Sequence, residues 1–531
     1  MMKTKSFIYS LLFLSFVSFT GCQKYLDVVP DNDIETIEVT FEKREDAYTW
    51  FKTCYSMIVM DISDINTNPA FWGTDEVVAD DYSRLNVAYG IPGLLIADGL
   101  QMAQTPYGDV WKSTKFYGGI RYCNLFLQHI DNVYNMLQEE KDLWRAEIQA
   151  LKALYYFELM RRYGPIVLVP ENIDAAAPIE QMQQPRRPID EVVEAIVELC
   201  NEAIPNLPYY KEQQQNHYGY FSKEGAAALK AMTLLYAASS LYNGNTMMAD
   251  MVNRNGERLF PAYDREKWKT AAIAADEALE IATAGGKQLY QGSTEWPTPM
   301  LNTIRDIQQS CFNIDYKNKE TLLCVRHQRL TPPVFYHPKF TEEDLNYYDQ
   351  YCVGGFGASM KMVEMYYTEH GLPLSEDKQW LPSRYAITTE SDERYKNILP
   401  LGEDLLSLHC RREPRFYANI AAHNTYWYKK SAEGVNEPML CECLQGQMMG
   451  TSSKRYDSSI PQCLTGYYVK KFDNADVALK DYYMNSSSEA GDIIFRLPDL
   501  LLASAEAWNE YLDAPDERVY NPLDQIRTRA G

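Results

Sequence analysis

The side chains able to do chemistry are numerous, but they do not form a catalytic set. Adjacent carboxylates occur at Asp75-Glu76 and Asp80-Asp81. Paired carboxylates can hydrolyse glycosides only when they face each other across a bond, and neighbours in sequence do not establish that. Solvated acidic loops are the plainer reading. The seven histidines (129, 217, 327, 337, 370, 409 and 423) are scattered, with neither H-E-x-x-H nor any other zinc spacing. Of the 11 cysteines, only Cys441 and Cys443 are close, and C-x-C is neither a zinc nor a redox spacing. Most of them read as buried thiols behaving as small hydrophobes. Gly354-Gly355-Phe356-Gly357 is glycine-rich, yet nothing places it between a strand and a helix, so it reads as a flexible loop. No nucleophile elbow and no phosphate loop is present. The expectation is a protein without catalytic residues, bound metal or cofactor.

Binding chemistry has better material. The chain carries 40 Tyr, 19 Phe and 9 Trp, 13% of its 531 residues. Sugars present C–H faces that stack on aromatic rings, and their hydroxyls pair with polar side chains. Trp50, Trp111, Trp144, Trp268 and Trp508 fall in helical patterns and read as packing residues. Trp72, Trp296, Trp380 and Trp427 fall among Pro, Gly and polar residues. Each either pins its loop or meets a ligand. Trp72 is the first candidate for a ligand contact, with Asp81, Tyr82 and Tyr89 close in sequence. Trp296 is the second. Arg326, Tyr336 and Tyr347 are further candidates; Tyr348 has the same character. Arg326 would bracket hydroxyls or an acidic sugar, or pair with a carboxylate.

Composition narrows the partners. Lys and Arg number 51 against 73 Asp and Glu, a net charge of −22. That balance repels phosphate and anionic lipid, so neither nucleic acid nor a charged membrane surface is an expected partner. Apolar residues make up 46% and charged residues 23%, ample for a packed core. The length suits about three domains or one large helical one.

The start of the chain reads as an address. Lys3 and Lys5 precede an uncharged, mostly apolar run from Phe7 to Phe19, too short to span a bilayer comfortably. Small residues then lead into Cys22, as in the lipobox of bacterial lipoproteins. Residues 1–21 are expected to be a signal peptide, Cys22 the lipidated residue and 22–40 a tether.

Helical periodicity governs the next part, 41–285. Predicted helices run over Phe41–Met60, Val110–Tyr134, Trp144–Tyr163, Ile189–Ile204, Glu224–Tyr242 and Arg265–Ala284. The strongest carries Ile148, Leu151, Tyr155 and Leu159 on one face and stops at Gly164-Pro165. Helix pairs joined by short turns suggest a tetratricopeptide-like scaffold without a strict 34-residue repeat. From 286 to 488 the texture is irregular, with short strands expected at Thr321–Arg326 and Tyr467–Phe472. Long irregular regions in compact proteins often carry function. A helix is expected over Ile493–Leu512, and another opening at Pro522 and running to Gly531. With a helix face there still needing a partner, the natural domain is expected to continue past the end of 489–531.

Several stretches, in order, resemble one family. The run Ala146 to Pro165 is similar to the hallmark helix of the SusD/RagB family of outer-membrane nutrient-binding lipoproteins of Bacteroidetes. Gln184 to Pro188, Ala203 to Pro208, Lys223 to Ser239, Tyr366 to Leu374, Arg412 to Tyr417, Gly466 to Phe472, Arg496 to Ala507 and Asn521 to Gly531 fit as well. Tyr25-Leu26-Asp27 after the lipobox fits the family's start. The resemblance implies a mostly α, SusD-like fold: a tetratricopeptide-like helical-pair scaffold beside a large loop-rich region with a few short strands. It implies a non-catalytic surface receptor that passes a glycan to a SusC-like TonB-dependent transporter, with the helical half meeting the transporter. A peptide-binding relative and a helical scaffold binding only protein partners are the alternatives.

Overall fold

The computed structural model describes residues 37–58, 73–79, 92–174, 176–213, 217–294, 296–311, 313–314, 318–327, 354–430, 436–450, 463–471 and 490–531. The expected signal peptide, Cys22 and most of the expected tether lie outside these residues.

Helices of six residues or more are α1 (Arg44–Tyr55), α2 (Pro92–Ala97), α3 (Phe116–His129), α4 (Gln138–Tyr163), α5 (Ile189–Ala203), α6 (Lys223–Ala238), α7 (Glu266–Ala284), α8 (Pro299–Gln309), α9 (Met360–Met365), α10 (Pro414–Asn419), α11 (Leu497–Tyr511) and α12 (Glu517–Ala530). Packing follows chain order: α1 on α3, α3 on α4, α4 on α5, α5 on α6, α6 on α7, then α7 on α11 and α11 on α12. This is the mostly helical, layered scaffold that the periodicity implied.

Helix α4 is its centre. Glu139 and Glu140 in its first turn and Arg161 and Arg162 in its last complement the helix dipole. Gly164, at φ +70°, ends it, and Pro165 follows. The one-sided stripe expected here is wider in fact: Ala146, Ala150, Ala153, Leu154, Tyr156, Phe157 and Met160 are buried too. The reason is that α3 and α5 pack on α4, with α6 behind them. Small Ala faces let them close in. Buried hydroxyls cross-link the layers. Tyr155 donates to the Cys54 carbonyl, and Tyr242 to that of Met160 at 2.9 Å. At the far end Asp276 of α7 accepts from Ser504 (2.6 Å) and from the Trp508 indole N–H (2.9 Å) of α11.

A second apolar core is built from Leu301, Ile304, Val363, Leu399, Phe416 and their neighbours, between α8, α9 and α10. Helix α8 lies in the stretch expected to be irregular. Its signals are local: Thr298 caps Leu301 N–H at 3.3 Å, and Pro299 occupies the first turn.

Two departures from expectation lie near the end of the chain. Residues 490–496 form a strand rather than the start of the helix, which begins at Leu497. A short apolar run is ambiguous between strand and helix, and its partner strand Thr321–His327 lies far away in sequence. Pro522 does not open the last helix but sits inside it. Asp516 caps the helix five residues earlier than Pro522 allows for, accepting from Arg518 N–H at 2.9 Å, and Pro522 is buried in the packing.

The strands are β1 (Val77–Ala79), β2 (Asn313–Ile314), β3 (Thr321–His327), β4 (Phe356–Ala358), β5 (Ile387–Thr388), β6 (Leu405–Leu406), β7 (Ile420–Ala421), β8 (Tyr426–Lys430), β9 (Asn436–Leu440), β10 (Tyr468–Val469) and β11 (Ala490–Arg496). They form a four-stranded sheet β1-β4-β10-β7, a three-stranded sheet β2-β11-β3 and two hairpin-like pairs, β5-β6 and β8-β9. No helix among the described residues is long and apolar enough to cross a membrane.

Candidate functional site

The four-stranded sheet joins the two segments that carry most of the candidate contacts. Strand β1 pairs antiparallel with β4: Val77 with Ala358, Val78 with Gly357, Ala79 with Phe356. The junction is braced from the side. Ser359 donates its backbone N–H to Glu76 O (2.8 Å) and its hydroxyl to Asp75 O (2.7 Å), and Lys361 pairs with the Asp75 carboxylate. Thus Asp75 and Glu76 tie the two segments together, Asp75 through its carboxylate and carbonyl and Glu76 through its carbonyl.

Phe356-Gly357 is therefore a strand in the sheet and not the flexible loop its glycines suggested. A Cβ at Gly357 would lie 2.3 Å from the Thr465 hydroxyl and 2.7 Å from the Cys463 sulfur. Glycine is required by the close approach of 463–467 beneath the strand. Strand β10 runs beside β4, with Ala358 N–H donating to Tyr467 O at 2.7 Å.

The candidates flank the paired strands in the chain. Trp72 lies five residues before Val77 in the chain, and Asp81 and Tyr82 come two and three residues after Ala79. Tyr336 and Tyr347 lie in the stretch that leads into β4. Because the strands are antiparallel, the chain leaves β1 at Ala79 where it enters β4 at Phe356. Trp72, Asp81, Tyr82, Tyr89, Tyr336 and Tyr347 themselves lie outside the described residues, as do Asp80 and Tyr348. Arg326 is not part of this sheet. It sits in β3 opposite Gly491, in the three-stranded sheet.

Of the two readings open for Trp296, a loop pin or a ligand contact, its burial fits the pin. It is only 8% exposed and belongs to the second core. Tyr428 meets its ring edge-on at 4.6 Å between centroids, and the Arg305 guanidinium lies 5.4 Å from it. Asn302 fixes its backbone, accepting from Trp296 N–H at 3.0 Å and donating to its carbonyl at 3.2 Å. Trp427 is likewise buried, in β8. Trp380 packs on the Arg412 guanidinium. A large ring in a loop was anchored by contacts distant in sequence, which local context does not reveal.

The sheet rests on a buried imidazole. His409 is 3% exposed. Its Nδ1 donates to the carbonyl of His423, just after β7, at 3.0 Å. Its Nε2 accepts from the hydroxyl of Tyr467, just before β10, at 3.0 Å. Burial pushes its pKa down to about 3. The folded value lies below the unfolded value of about 6.5, so the unfolded chain takes up the proton first. Stability from His409 is complete above about pH 6.5 and is lost as pH falls toward 3. By about pH 5 the loss is on the order of 2 kcal/mol. Urea midpoints measured from neutral pH downward should fall more steeply for the parent than for His409→Asn. Parallel curves would show that His409 does not control the acid limb.

A separate cleft of about 940 Å³ opens between α8, the turn 367–373 and α12. The resembling motifs Tyr366–Leu374 and Arg412–Tyr417 form one wall. Several of its polar side chains are paired: Arg394 with Asp392 and Glu369, Arg415 with Glu413, and the His370 ring with Asp377. All nine described cysteines are free thiols, and only Cys311 is not fully buried. No cluster of three or more metal-ligating side chains occurs among the described residues.

The described residues form a helical scaffold whose short sheet pairs β1 with β4. Comparisons with known proteins give this architecture its class. The family described as SusD family matches residues 325–531, and the one described as starch-binding associating with outer membrane matches residues 24–235. Among solved structures, a protein titled BT4246 superposes with a TM-score of 0.73 at 26% identity, covering 92% of this chain and 82% of its own. A SusD-like protein from Bacteroides fragilis gives 0.65 at 20% identity, covering 93% and 80%. Surface glycan-binding protein A from Bacteroides uniformis gives 0.52 at 14% identity, covering 92% and 80%. No curated protein matches the chain. The chain belongs to the SusD/RagB family, whose members bind glycans and associate with the outer membrane.

Proposed function

We propose that the protein is a surface receptor that captures an oligosaccharide or polysaccharide and delivers it to a SusC-like TonB-dependent transporter. Cys22 carries its lipid anchor, and the protein performs no catalysis. The observation that carries the reading is the β1–β4 pairing, which joins the segment after Trp72 to the segment after Tyr347. Both segments carry Tyr and Asp, and the first follows Trp72, side chains suited to a sugar's C–H faces and hydroxyls. Relatives of the same fold include a laminarin binding SusD-like protein and surface glycan-binding proteins. The site is built from Trp72, Asp81, Tyr82, Tyr89, Tyr336 and Tyr347. Trp296, buried in the second core, and Arg326, in the three-stranded sheet, are not assigned to it.

The test is affinity electrophoresis of the lipid-free protein against a panel of polysaccharides. One glycan should retard the parent. Trp72→Ala should weaken that binding by about tenfold or more while leaving the melting temperature unchanged. No retardation by any glycan would overturn the glycan reading in favour of a peptide ligand. Retardation that survives Trp72→Ala would remove Trp72 from the site.

A further inference from the structure

The space beside Trp296 has a chemistry of its own. A crevice of about 20 Å³ lies between α8 and the strand β8, lined by Trp296, Arg305, Asn397, Tyr428 and Lys470 among others. That is room for one water-sized body. The Trp296 indole N–H is buried and has no hydrogen-bond partner among the described residues. The Asn397 side-chain NH₂ on the same crevice is also covered and also without one. An indole N–H can only donate, so this pair of groups calls for an acceptor.

The rest of the lining agrees. Arg305 and Lys470, 8% and 4% exposed, bring two positive charges to it. The described lining contains no carboxylate, although the chain carries 73 acidic residues. The nearby carbonyls are already used: Lys470 donates to Tyr417 O at 2.8 Å and Tyr426 O at 3.4 Å. The Gln308 amide N–H donates to Ala418 O at 3.1 Å. A water entering here would have to place its own two hydrogens against donors and cations. An acceptor without hydrogens meets no such conflict.

We propose that this crevice is a binding site for a single small monovalent anion of halide size, held by Trp296 Nε1 and Asn397 Nδ2 in the field of Arg305 and Lys470. The anion fills the second core at the point where β8 meets α8. It acts as a structural ligand, independent of the glycan site.

Two measurements test it. Thermal melts at constant ionic strength should compare sodium gluconate with sodium chloride and sodium bromide. Gluconate is too large for the crevice. Chloride and bromide should raise the melting temperature saturably, by about 2 °C at ten times the dissociation constant. Crystals soaked in bromide should show an anomalous peak within hydrogen-bonding reach of Trp296 Nε1. Asn397→Asp, which puts a carboxylate against the site, should abolish both effects. If that variant does not fold, Trp296→Phe removes the indole N–H with a smaller electrostatic change and should do the same. Equal melting temperatures in gluconate and chloride, or a crevice without an anomalous peak, would overturn the proposal in favour of an ordered water.

Discussion

Replacing Arg412 with Ala is expected to abolish folding, or to lower the melting temperature by about 5 °C or more. Arg412 is fully buried, yet its partners are carbonyl oxygens rather than carboxylates. Its Nη1 donates to Leu408 O at 2.8 Å. Its Nη2 donates to Val363 O at 2.8 Å and to Tyr366 O at 2.7 Å. Its Nε reaches Tyr367 O at 3.2 Å. The guanidinium also lies 4.6 Å from the Phe416 ring and 5.4 Å from that of Trp380. One side chain thus closes the end of α9, the turn after it and the segment before α10. Burial lowers its pKa to about 10, so it remains charged at neutral pH. Each hydrogen bond from a charged donor contributes about 1.5–3 kcal/mol, and buried carbonyls left without partners add their own penalty. Four such bonds exceed about 5 kcal/mol, the lower end of a typical domain's whole stability. Arg412→Lys keeps the charge but not the planar fork, and should still cost about 3 kcal/mol or more. Soluble yield and thermal melts check both. An Arg412→Leu variant that melts within a few degrees of the parent would mean that water serves these carbonyls.

Much of the scaffold could be read from the sequence because its signals are local. The run ending at Gly164-Pro165 carries its composition, charge pattern and stop signal within one stretch of chain. So do α5 after Pro188 and α6 after its Ser222 cap. The departures have the opposite character. Gly357 looked like loop because the Cys463 and Thr465 atoms that demand glycine lie over a hundred residues away. Residues 490–496 are strand because β3 is there to receive them. The burial of Trp296 is not visible in its local sequence because Tyr428 and Arg305 come from other elements. The candidate site divides in the same way. Residue types suited to sugars are visible in sequence, and the sheet that joins their segments is not.

The second large effect is expected at Glu320. This carboxylate is fully buried just before β3 and forms an ion pair with Arg529 near the end of α12. It also accepts from Tyr290 N–H at 2.7 Å, and Arg496 lies at 3.6 Å. The Arg529 side chain is only 6% exposed. Burial raises the Glu320 pKa, and Arg529 opposes that rise. The pair therefore holds the last helix against the three-stranded sheet, which gives the Asn521–Gly531 motif a physical reason for its arginine. Glu320→Gln leaves a buried guanidinium without its counter-charge and should cost about 3–5 kcal/mol. Removing both partners is different in kind. In Glu320→Leu with Arg529→Leu the closest ion pair goes as a unit, and Arg496, which loses its contact with Glu320, keeps its bond to Ser310 Oγ at 3.1 Å. The double variant should be more stable than Glu320→Leu alone, with a coupling of about 2 kcal/mol in urea melts. Strictly additive losses would show that the two side chains act independently, and that α12 is held by the packing of Val519 and Pro522 instead.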